Sequence, residues 1–245
     1  HGVFAVGAFE EEFVEEHGTV GCNGKSRSMS GEESTLHKRM VWGLAQLQLR
    51  LNDQQIGQLL NYLKLIAKWT KVYNLTAVRD PAEMMTHHLL DSLAAIAPLQ
   101  KQMAQGKLLD VGSGAGLPGV VIAICCPAIH VTCVDTVAKK ATFIKQVALE
   151  LKLPNLAGLH ARVENIDHPF DVICSRAFAS LVDFTQWSAN AIAPTGVWMA
   201  MKGKHPADEL AALPAAVDVF HVEQLHVPGL NAERCVVWMR KKSVS

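Results

Sequence analysis

The sequence predicts an α/β protein with a mostly parallel, seven-stranded sheet, and three observations predict it. Three apolar residues that flank one acid, at 108–111, run directly into a glycine-rich loop, which is typical of a buried parallel strand that ends beside a ligand. Strand-like and helical patterns then alternate from residue 130 to residue 213. Two final strand patterns, at 217–227 and 234–240, are joined through a Pro-Gly pair and can form an antiparallel hairpin.

The segment that precedes the sheet is predicted to be helical. Over residues 40–69 apolar side chains recur at helical spacing with one break, so we expect two amphipathic helices, the second capped by Asn52 or Asp53. A third helix is expected to begin at Pro81, because Asp80 can cap it and proline is well tolerated at the first helical position.

The chain is predicted to divide into three parts. Residues 1–39 are rich in Gly, Glu and Ser without sustained periodicity, and we interpret them as a disordered leader or tag outside the fold. Residues 40–104 would form the N-terminal helical segment, and residues 105–245 the domain that contains the sheet. A chain of 245 residues with 49% hydrophobic content is long enough for one such domain with an accessory segment.

The other elements of the sheet domain follow in chain order. Pro118 is expected to open a helix that must end before Pro127, because proline interrupts a helix. Further strands are expected at 130–134, 157–160, 170–175 and 196–202, and further helices at 138–151, 181–192 and 206–213.

The glycine-rich loop indicates a particular class of ligand. Glycines stand at 112, 114 and 116, and Leu117 occupies the place where the dinucleotide fingerprint has its third glycine. This pattern suits S-adenosylmethionine better than a nicotinamide dinucleotide, and no lysine follows the glycines as in a P-loop. Alternating strands and helices followed by a hairpin also describe the class I methyltransferase sheet. A turn that merely joins a strand to a helix remains the alternative.

An acidic residue, Asp135, closes the second predicted strand about 20 residues beyond the glycine loop. A carboxylate at a strand's carboxyl end can accept hydrogen bonds from both hydroxyls of a ribose. The alternative is that Asp135 only caps the helix predicted from Ala138. The upstream loop favours ribose binding.

Composition and residue spacing argue against a membrane protein, a disulfide-bonded secreted protein and a metal-binding protein. The longest apolar run, 119–126, is far too short to span a bilayer, and glutamates interrupt any signal-peptide pattern, so we expect no membrane partner. The six cysteines lack C-x-x-C spacing, so we expect buried reduced thiols and a cytoplasmic location. No Cys or carboxylate pattern completes a ligand set with His87 and His88, so no metal is expected.

The formal net charge of zero averages over unlike segments. Residues 1–39 hold seven acids and four bases, so the remainder is mildly basic at +3. Lys64, Lys68 and Lys71 recur at helical spacing on the polar side of the second helix. Such a face is usually only solvated, but beside a ligand cleft it can also contact phosphates.

Four segments resemble one known family, in order along the chain. They are Lys68–Asp80 (KWTKVYNLTAVRD), His88–Ser92 (HLLDS), the glycine-rich loop and Ser175–Ser180 (SRAFAS). Together they are similar to the RsmG family, also called glucose-inhibited division protein B, over residues from about 40 to 241. The resemblance implies a class I S-adenosylmethionine-dependent methyltransferase fold, Rossmann-like, with an N-terminal helical extension and the methyltransferase domain at 105–245. It also implies methyl transfer to N7 of a guanosine in the 530 loop of bacterial 16S rRNA.

The resemblance and the strand ends together give a candidate site. Cofactor contacts are expected at Gly112, Gly114, Gly116, Leu117, Asp135, Val163, Glu164 and Arg176, with Val163 and Glu164 beside the adenine. Substrate or RNA contacts are expected at Lys68, Lys71, Asn74, His88, Lys202 and Arg234, and Asp91 also matches the family pattern. Arg176 is expected to act as a positioning residue beside the methyl-transfer cleft, bonded to a carboxylate or phosphate; a surface salt bridge is its alternative.

The chemistry implied by the resemblance needs no general base. Guanine N7 carries an in-plane lone pair and no proton, so alignment of donor and acceptor can supply most of the rate. The chain has no Asn/Asp-Pro-Pro-aromatic motif for amino-group methylation and no Pro-Cys nucleophile after the fourth strand. These absences favour N7 by elimination.

Three alternatives remain open at this point. A small-molecule methyltransferase would share the cofactor site, and a non-catalytic RNA-binding assembly protein could retain S-adenosylmethionine as a structural ligand. An NAD-dependent oxidoreductase is disfavoured by Leu117 and by the terminal hairpin. We expect a monomer whose partner is 16S rRNA or the small ribosomal subunit, and the sequence does not distinguish these two substrates.

Overall fold

The computed structural model describes residues 31–242 and contains one seven-stranded sheet in the order β3-β2-β1-β4-β5-β7-β6. The first five strands are parallel, and β7 pairs antiparallel with both β5 and β6. The strands are β1 (Gly106–Val111), β2 (Ile129–Asp135), β3 (Leu156–His160), β4 (Phe170–Arg176), β5 (Ile192–Lys202), β6 (Val217–Leu225) and β7 (Arg234–Lys241). The predicted α/β class, the strand count and the terminal hairpin are confirmed.

Helices cover both faces of the sheet and precede it in the chain. They are α1 (Gly31–Gln46), α2 (Asp53–Tyr73), α3 (Pro81–Met84), α4 (Asp91–Leu93), α5 (Ile96–Gln102), α6 (Gly119–Cys125), α7 (Ala138–Glu150), α8 (Leu181–Trp187) and α9 (Ala207–Ala211). A π-helical stretch (Met85–Leu90) joins α3 to α4, and a 3-10 turn (Val163–Asn165) follows β3.

The predicted helix starts are confirmed by their caps. The Asn52 side chain accepts a hydrogen bond from the Gln55 amide, and the Gln55 side chain accepts one from the Asn52 amide, which forms a capping box at α2. At α3, Asp80 accepts from the Glu83 amide, with Pro81 in the first helical position. Both helix starts could be predicted because capping depends only on residues that are close in sequence.

The expected fold boundary at Met40 was wrong. Helix α1 begins at Gly31, and Leu36 and Met40 on its inner face pack against the core. The segment was misjudged because polar residues outnumber apolar ones over 31–39, so its helical period only becomes visible with the rest of α1. The remainder of the expected leader, residues 1–30, lies outside the described residues.

Two hydrophobic cores lie on opposite faces of the sheet. Leu108 of β1 points into a core shared with α1, α2, α6 and α7, whereas its neighbour Leu109 points into the core beneath α8. Side chains alternate across a strand, so a strand covered on both faces is apolar along its length. This accounts for the apolar residues Leu108, Leu109 and Val111, which are interrupted only by the buried Asp110. The core that contains Leu108 also joins the N-terminal helices to the sheet.

Two predicted boundaries in the second half were wrong. Helix α8 ends at Trp187 rather than residue 192, and β5 starts at Ile192 rather than residue 196. Ile192 pairs with Phe170 of β4 before a register shift, so the apolar residues there extend the strand. A short apolar run does not by itself distinguish a helix end from a buried strand.

Two expectations from composition can be compared with the structure. No helix within 31–242 is long and apolar enough to cross a membrane. Buried reduced thiols are confirmed for the cysteines that the structure describes, Cys125, Cys126, Cys133, Cys174 and Cys235, which are free and buried. Cys22 lies outside the described residues.

Candidate functional site

Two adjoining cavities open at the carboxyl ends of the parallel strands, where open α/β sheets bind ligands. The first, of about 430 Å³, lies beyond β1, β4 and β5, and the second, of about 390 Å³, lies beyond β1, β2 and β3. Gly112 and Ala177 line both cavities, so the glycine loop and the end of β4 form their shared wall.

The lining of the two cavities differs in chemistry. The first carries charged and polar side chains, among them His88, Asp91, Arg176, Lys202 and Arg234. The second mixes apolar and aromatic groups with charged ones, including an acid at the end of β2 and another after β3. Its residues are Val111, Gly112, Val134, Asp135, Thr136, Val137, Lys140, Ala161, Arg162, Val163, Glu164, Ala177, Phe178 and Trp187.

Three glycines of the loop have left-handed backbone conformations, with φ of 63° at Gly112, 58° at Gly114 and 92° at Gly116. Side chains rarely adopt this region, which explains the glycine pattern. A Cβ at Gly112 would lie 2.2 Å from the Phe178 ring, so glycine here keeps the ring against the shared wall.

Gly116 was expected to contact the cofactor, and this stays a prediction, although the structure gives Gly116 a packing role. Neither cavity lining, as far as the structure describes the chain, includes Gly116. A Cβ there would lie 2.5 Å from Val120 and 2.6 Å from Ile144, so this glycine serves close packing behind the loop. Gly112, Gly114 and Leu117 do line the first cavity, as expected.

A buried acid and a buried phenol support the loop from below. Asp110 of β1 is fully buried, and its Oδ2 accepts a hydrogen bond from the Gly119 amide at 2.8 Å. Burial raises the pKa of the Asp110 carboxyl to about 7. The Tyr62 hydroxyl of α2 donates to the Ala115 carbonyl at 2.6 Å and ties the N-terminal helices to the loop. Sequence reasoning assigned no role to either residue.

Asp135 lies at the end of β2, as expected, and lines the second cavity. Its Oδ2 accepts from the Gly114 amide at 3.0 Å, and its Oδ1 accepts from the Val137 amide at 2.9 Å. The carboxylate therefore ties the glycine loop to the start of α7. Each carboxylate oxygen can accept a further bond, so ribose binding stays a prediction.

The first cavity is organised around a buried carboxylate. Asp91 accepts from Arg176 Nη1 on Oδ2 and from Arg234 Nε on Oδ1, both at 2.9 Å, and only 3% of the residue is exposed. Arg176 Nη1 also donates to the His87 carbonyl at 2.8 Å, within the π-helical stretch. The carboxylate partner of Arg176 is thus the protein's own Asp91. From the sequence, Asp91 was only a match to the family pattern, with no role of its own.

His88 was expected as a substrate contact, and it lies in the first cavity wall. Its Nε2 lies 2.8 Å from Thr76 Oγ1, and its Nδ1 is buried with no partner among the described atoms. Burial, assisted by the Arg176 charge, lowers the pKa of His88 to about 4. The ring is therefore neutral at pH 7.

Only some of the other residues expected to contact the substrate lie in a cavity wall. Lys202 lines the first cavity, where its Nζ donates to Glu209 at 2.9 Å and to the Ala179 carbonyl at 3.0 Å. Asn74 caps α2 and accepts from Arg79 at 2.6 Å. Lys68 and Lys71 are exposed on α2 and belong to neither cavity wall. Within residues 31–242 no group of three His, Cys, Asp or Glu side chains could hold a metal ion.

Comparison with known proteins decides the family. The family model for rRNA small subunit methyltransferase G, GidB, matches residues 55–237. The chain belongs to this family. The match contains every residue that lines the two cavities.

Individual relatives agree with the family model. The ribosomal RNA small subunit methyltransferase G of Polaromonas sp. strain JS666 is 74% identical over 209 residues, covering 83% of this chain and 92% of that protein. The protein of the same name from Polaromonas naphthalenivorans is 70% identical over 221 residues, covering 88% of this chain and all of that protein.

Solved structures share the fold of this chain at low sequence identity. TrmN from Thermus thermophilus has a TM-score of 0.50 at 19% identity, covering 64% of this chain and 53% of that one. Coclaurine N-methyltransferase, bound to N-methylheliamine and SAH, has a TM-score of 0.51 at 10% identity, covering 86% and 94%. These likenesses establish the class I methyltransferase fold, as predicted.

Proposed function

We propose that this chain transfers a methyl group from S-adenosylmethionine to N7 of a guanosine in the 530 loop of bacterial 16S rRNA. One observation carries the proposal: a cavity with strand-end acids and an aromatic wall adjoins an arginine-lined cavity across Gly112, in a chain of the GidB family. The family name specifies an rRNA methyltransferase of the small subunit, and the two cavities suit a cofactor and a target base side by side.

The second cavity fits the adenosine part of the cofactor. Val163 and Glu164 would border the adenine, Asp135 would accept from the ribose, and Phe178 would form an apolar wall. Gly112, Gly114 and Leu117 would hold the methionine part, where the bare loop leaves room. When bound, S-adenosylmethionine supplies an electrophilic methyl group on a sulfonium.

The first cavity suits a base that offers hydrogen-bond acceptors and no acidic proton. Asp91 is engaged by two arginines, and a pKa of about 4 makes the His88 ring a weak base, so neither is poised to remove a proton at pH 7. Arg176 uses Nη1 for Asp91 and His87, which leaves Nη2 and Nε to donate. A guanidinium recognises the O6 and N7 edge of guanine, and donation to O6 alone would leave N7 open to methylation.

The substrate contacts and the setting of the reaction complete the proposal. Lys202 and Arg234 would charge the cavity mouth, while Lys68, Lys71 and Asn74 would contact RNA outside it. We propose that the chain acts as a monomer in the cytoplasm on 16S rRNA or the small subunit, without a metal. We also propose that residues 31–104 serve as the helical extension of a methyltransferase domain at 105–245.

The test is methyl transfer to RNA from cells that lack the gene. Purified protein with methyl-labelled S-adenosylmethionine should label small subunits or 16S rRNA from such a strain, and not those from the parent strain. Borohydride and aniline treatment cleaves RNA at N7-methylguanosine, so it should locate the label in the 530 loop. Label confined to a metabolite would instead identify a small-molecule methyltransferase, and no transfer at all would leave only a binding protein.

A further inference from the structure

Helices α2 and α7 pack side by side at the rim of the site and run in opposite directions. The Trp69 ring of α2 lies 5.3 Å from the Phe143 ring of α7, and one turn further the Tyr73 ring lies 5.1 Å from Lys139 Nζ. The chain then continues from Tyr73 into Leu75 and Thr76 of the first cavity wall, while α7 begins beside Val137 and Lys140 of the second.

The exposed surface towards the Tyr73 end of α2 and the start of α7 is basic; the acidic residues of the two helices, Asp53 and Glu150, lie at their opposite ends. Residues 54–79 contain three lysines and one arginine but no Asp or Glu, and residues 136–149 contain three lysines but no Asp or Glu. Lys64 pairs with Glu33 and Lys140 approaches Asp135. Over residues 31–242 no ion pair involves Lys68, Lys71 or Lys139. In a chain of zero net charge, this face is locally positive.

The same surface exposes apolar side chains that a solvated face would not need. Val72 is 69% exposed, Tyr73 42% and Val137 44%. We call the surface formed by Lys68, Lys71, Val72, Tyr73, Val137 and Lys139 the α2–α7 ridge. Lysines interleaved with an exposed aromatic ring are the features that bind single-stranded nucleic acid, since phosphates pair with the lysines and an unstacked base stacks on the ring.

We propose that the α2–α7 ridge binds single-stranded RNA beside the target nucleotide, with a flanking base stacked on Tyr73 and the adjacent phosphates held by Lys68, Lys71 and Lys139. Lys139 Nζ now lies over the face of the Tyr73 ring, the place that a base would take. An exposed lysine can turn towards a phosphate and leave that face to the base. The inference rests on the proposed function for its target, because a nucleotide must leave its stack before chemistry on it.

The ring is tested by binding of a short labelled single-stranded oligoribonucleotide, measured by fluorescence anisotropy without cofactor. Tyr73→Ala should weaken binding by about tenfold, the usual scale for one lost base stack, whereas Tyr73→Phe keeps the ring and should bind like the wild type. A duplex of the same sequence has no free base, so its binding should not respond to Tyr73→Ala. Equal binding by wild type and Tyr73→Ala, or equal losses in the two variants, would overturn the stacking role.

The lysines are tested by salt dependence with a matched control. Lys139→Gln should reduce the slope of log affinity against log salt by about 0.7, the value for one phosphate contact on a single strand. Lys107→Gln removes an exposed lysine at the start of β1, where the amino ends of the parallel strands lie. This variant should leave the slope unchanged. The same slope change in both variants would mean that net charge, and not the ridge, governs binding.

Methyl transfer separates this inference from the proposed function. In Tyr73→Ala, KM for the RNA substrate should rise while the affinity for S-adenosylmethionine stays that of the wild type. If the wild type methylates the RNA and Tyr73→Ala changes neither KM nor binding, the inference is wrong and the proposed function is unaffected. If the wild type does not methylate the RNA but its binding depends on the Tyr73 ring, the proposed function is wrong and the α2–α7 ridge is still an RNA-binding surface.

Discussion

Asp91 Oδ2 lies 2.9 Å from Arg176 Nη1, and this pair joins the N-terminal helical segment to the end of β4. The second oxygen of the same carboxylate holds Arg234 from the terminal hairpin. One buried anion therefore orients two cations from different parts of the chain at the mouth of the first cavity. Such a group can position the two arginines that we propose to meet the substrate, although its own atoms are engaged with protein.

Loss of the Asp91 charge should affect both stability and rate. Asp91→Asn leaves two partly buried guanidinium groups without their anion, so we expect a loss of about 3 kcal/mol in the free energy of unfolding. The fall in methyl transfer should lie in kcat, with S-adenosylmethionine affinity retained, and Asp91→Glu should restore part of it. Urea denaturation and steady-state kinetics measure the two effects.

A surface ion pair offers the matched control for Asp91. Asp218→Asn removes the partner of Arg240, a pair that is largely exposed, and should change stability by no more than about 0.5 kcal/mol. If Asp91→Asn behaved like Asp218→Asn in stability and in kcat, the carboxylate would not organise the cavity.

Arg176 itself should be needed for turnover. Arg176→Ala removes the guanidinium that faces the target cavity, and we expect kcat to fall about a hundredfold. Arg176→Lys keeps the charge but replaces a planar fork of donors with a single ammonium, so it should recover only part of the rate. Isothermal titration with S-adenosylmethionine should show that the cofactor still binds to both variants.

The control for Arg176 is Arg240→Ala, which removes an exposed arginine near the far end of β7, the strand that begins at Arg234. Its turnover should match the wild type. Full activity of Arg176→Ala would contradict the positioning role.

The limits of sequence reasoning here are physical. The strands and the caps of α2 and α3 were predictable because burial on both faces and end-capping depend on residues close in the chain. Asp91 is separated from Arg176 by 85 positions and from Arg234 by 143 positions, so no local sequence pattern predicts these two ion pairs. Gly116 shows the converse limit, since its place in a glycine pattern indicates backbone freedom but not whether the residue packs against Val120 and Ile144 or lines a cavity.

Two glycines of the loop should respond differently to alanine. Both Gly112→Ala and Gly116→Ala force a side chain into the left-handed region, so both should lose stability. Only Gly112→Ala drives a methyl group into Phe178 at the shared cavity wall, so it should also weaken S-adenosylmethionine binding by about tenfold. Thermal unfolding and cofactor titration of the two variants separate strain from steric blockage.

A second substitution tests the cause of the Gly112 effect. Phe178→Leu in the Gly112→Ala background removes the ring that the new methyl group would strike, and should return part of the cofactor affinity. If Gly116→Ala impaired cofactor binding as much as Gly112→Ala, backbone strain would be sufficient and the shared wall irrelevant.

The buried Asp110 should make stability depend on pH in an unusual direction. Its pKa lies at about 7 in the folded protein and 3.8 is its ordinary value, so between these values the folded state binds the proton and the unfolded state does not. Stability therefore falls as pH rises from about 4 to 7, by at most about 4 kcal/mol for this group. Asp110→Asn cannot ionise, so its stability relative to the wild type should increase over the same range, as measured by urea denaturation at each pH.

His88 provides a control of opposite sign over an overlapping range. Its pKa is about 4 in the folded protein against 6.5 ordinarily, so the unfolded state binds the proton first and wild-type stability falls as pH drops from 6.5 to 4. His88→Asn should remove that loss, and its stability relative to the wild type should therefore grow towards acid, where that of Asp110→Asn shrinks. Parallel pH profiles for the two variants would mean that a general effect of pH, and not these two buried groups, sets the dependence.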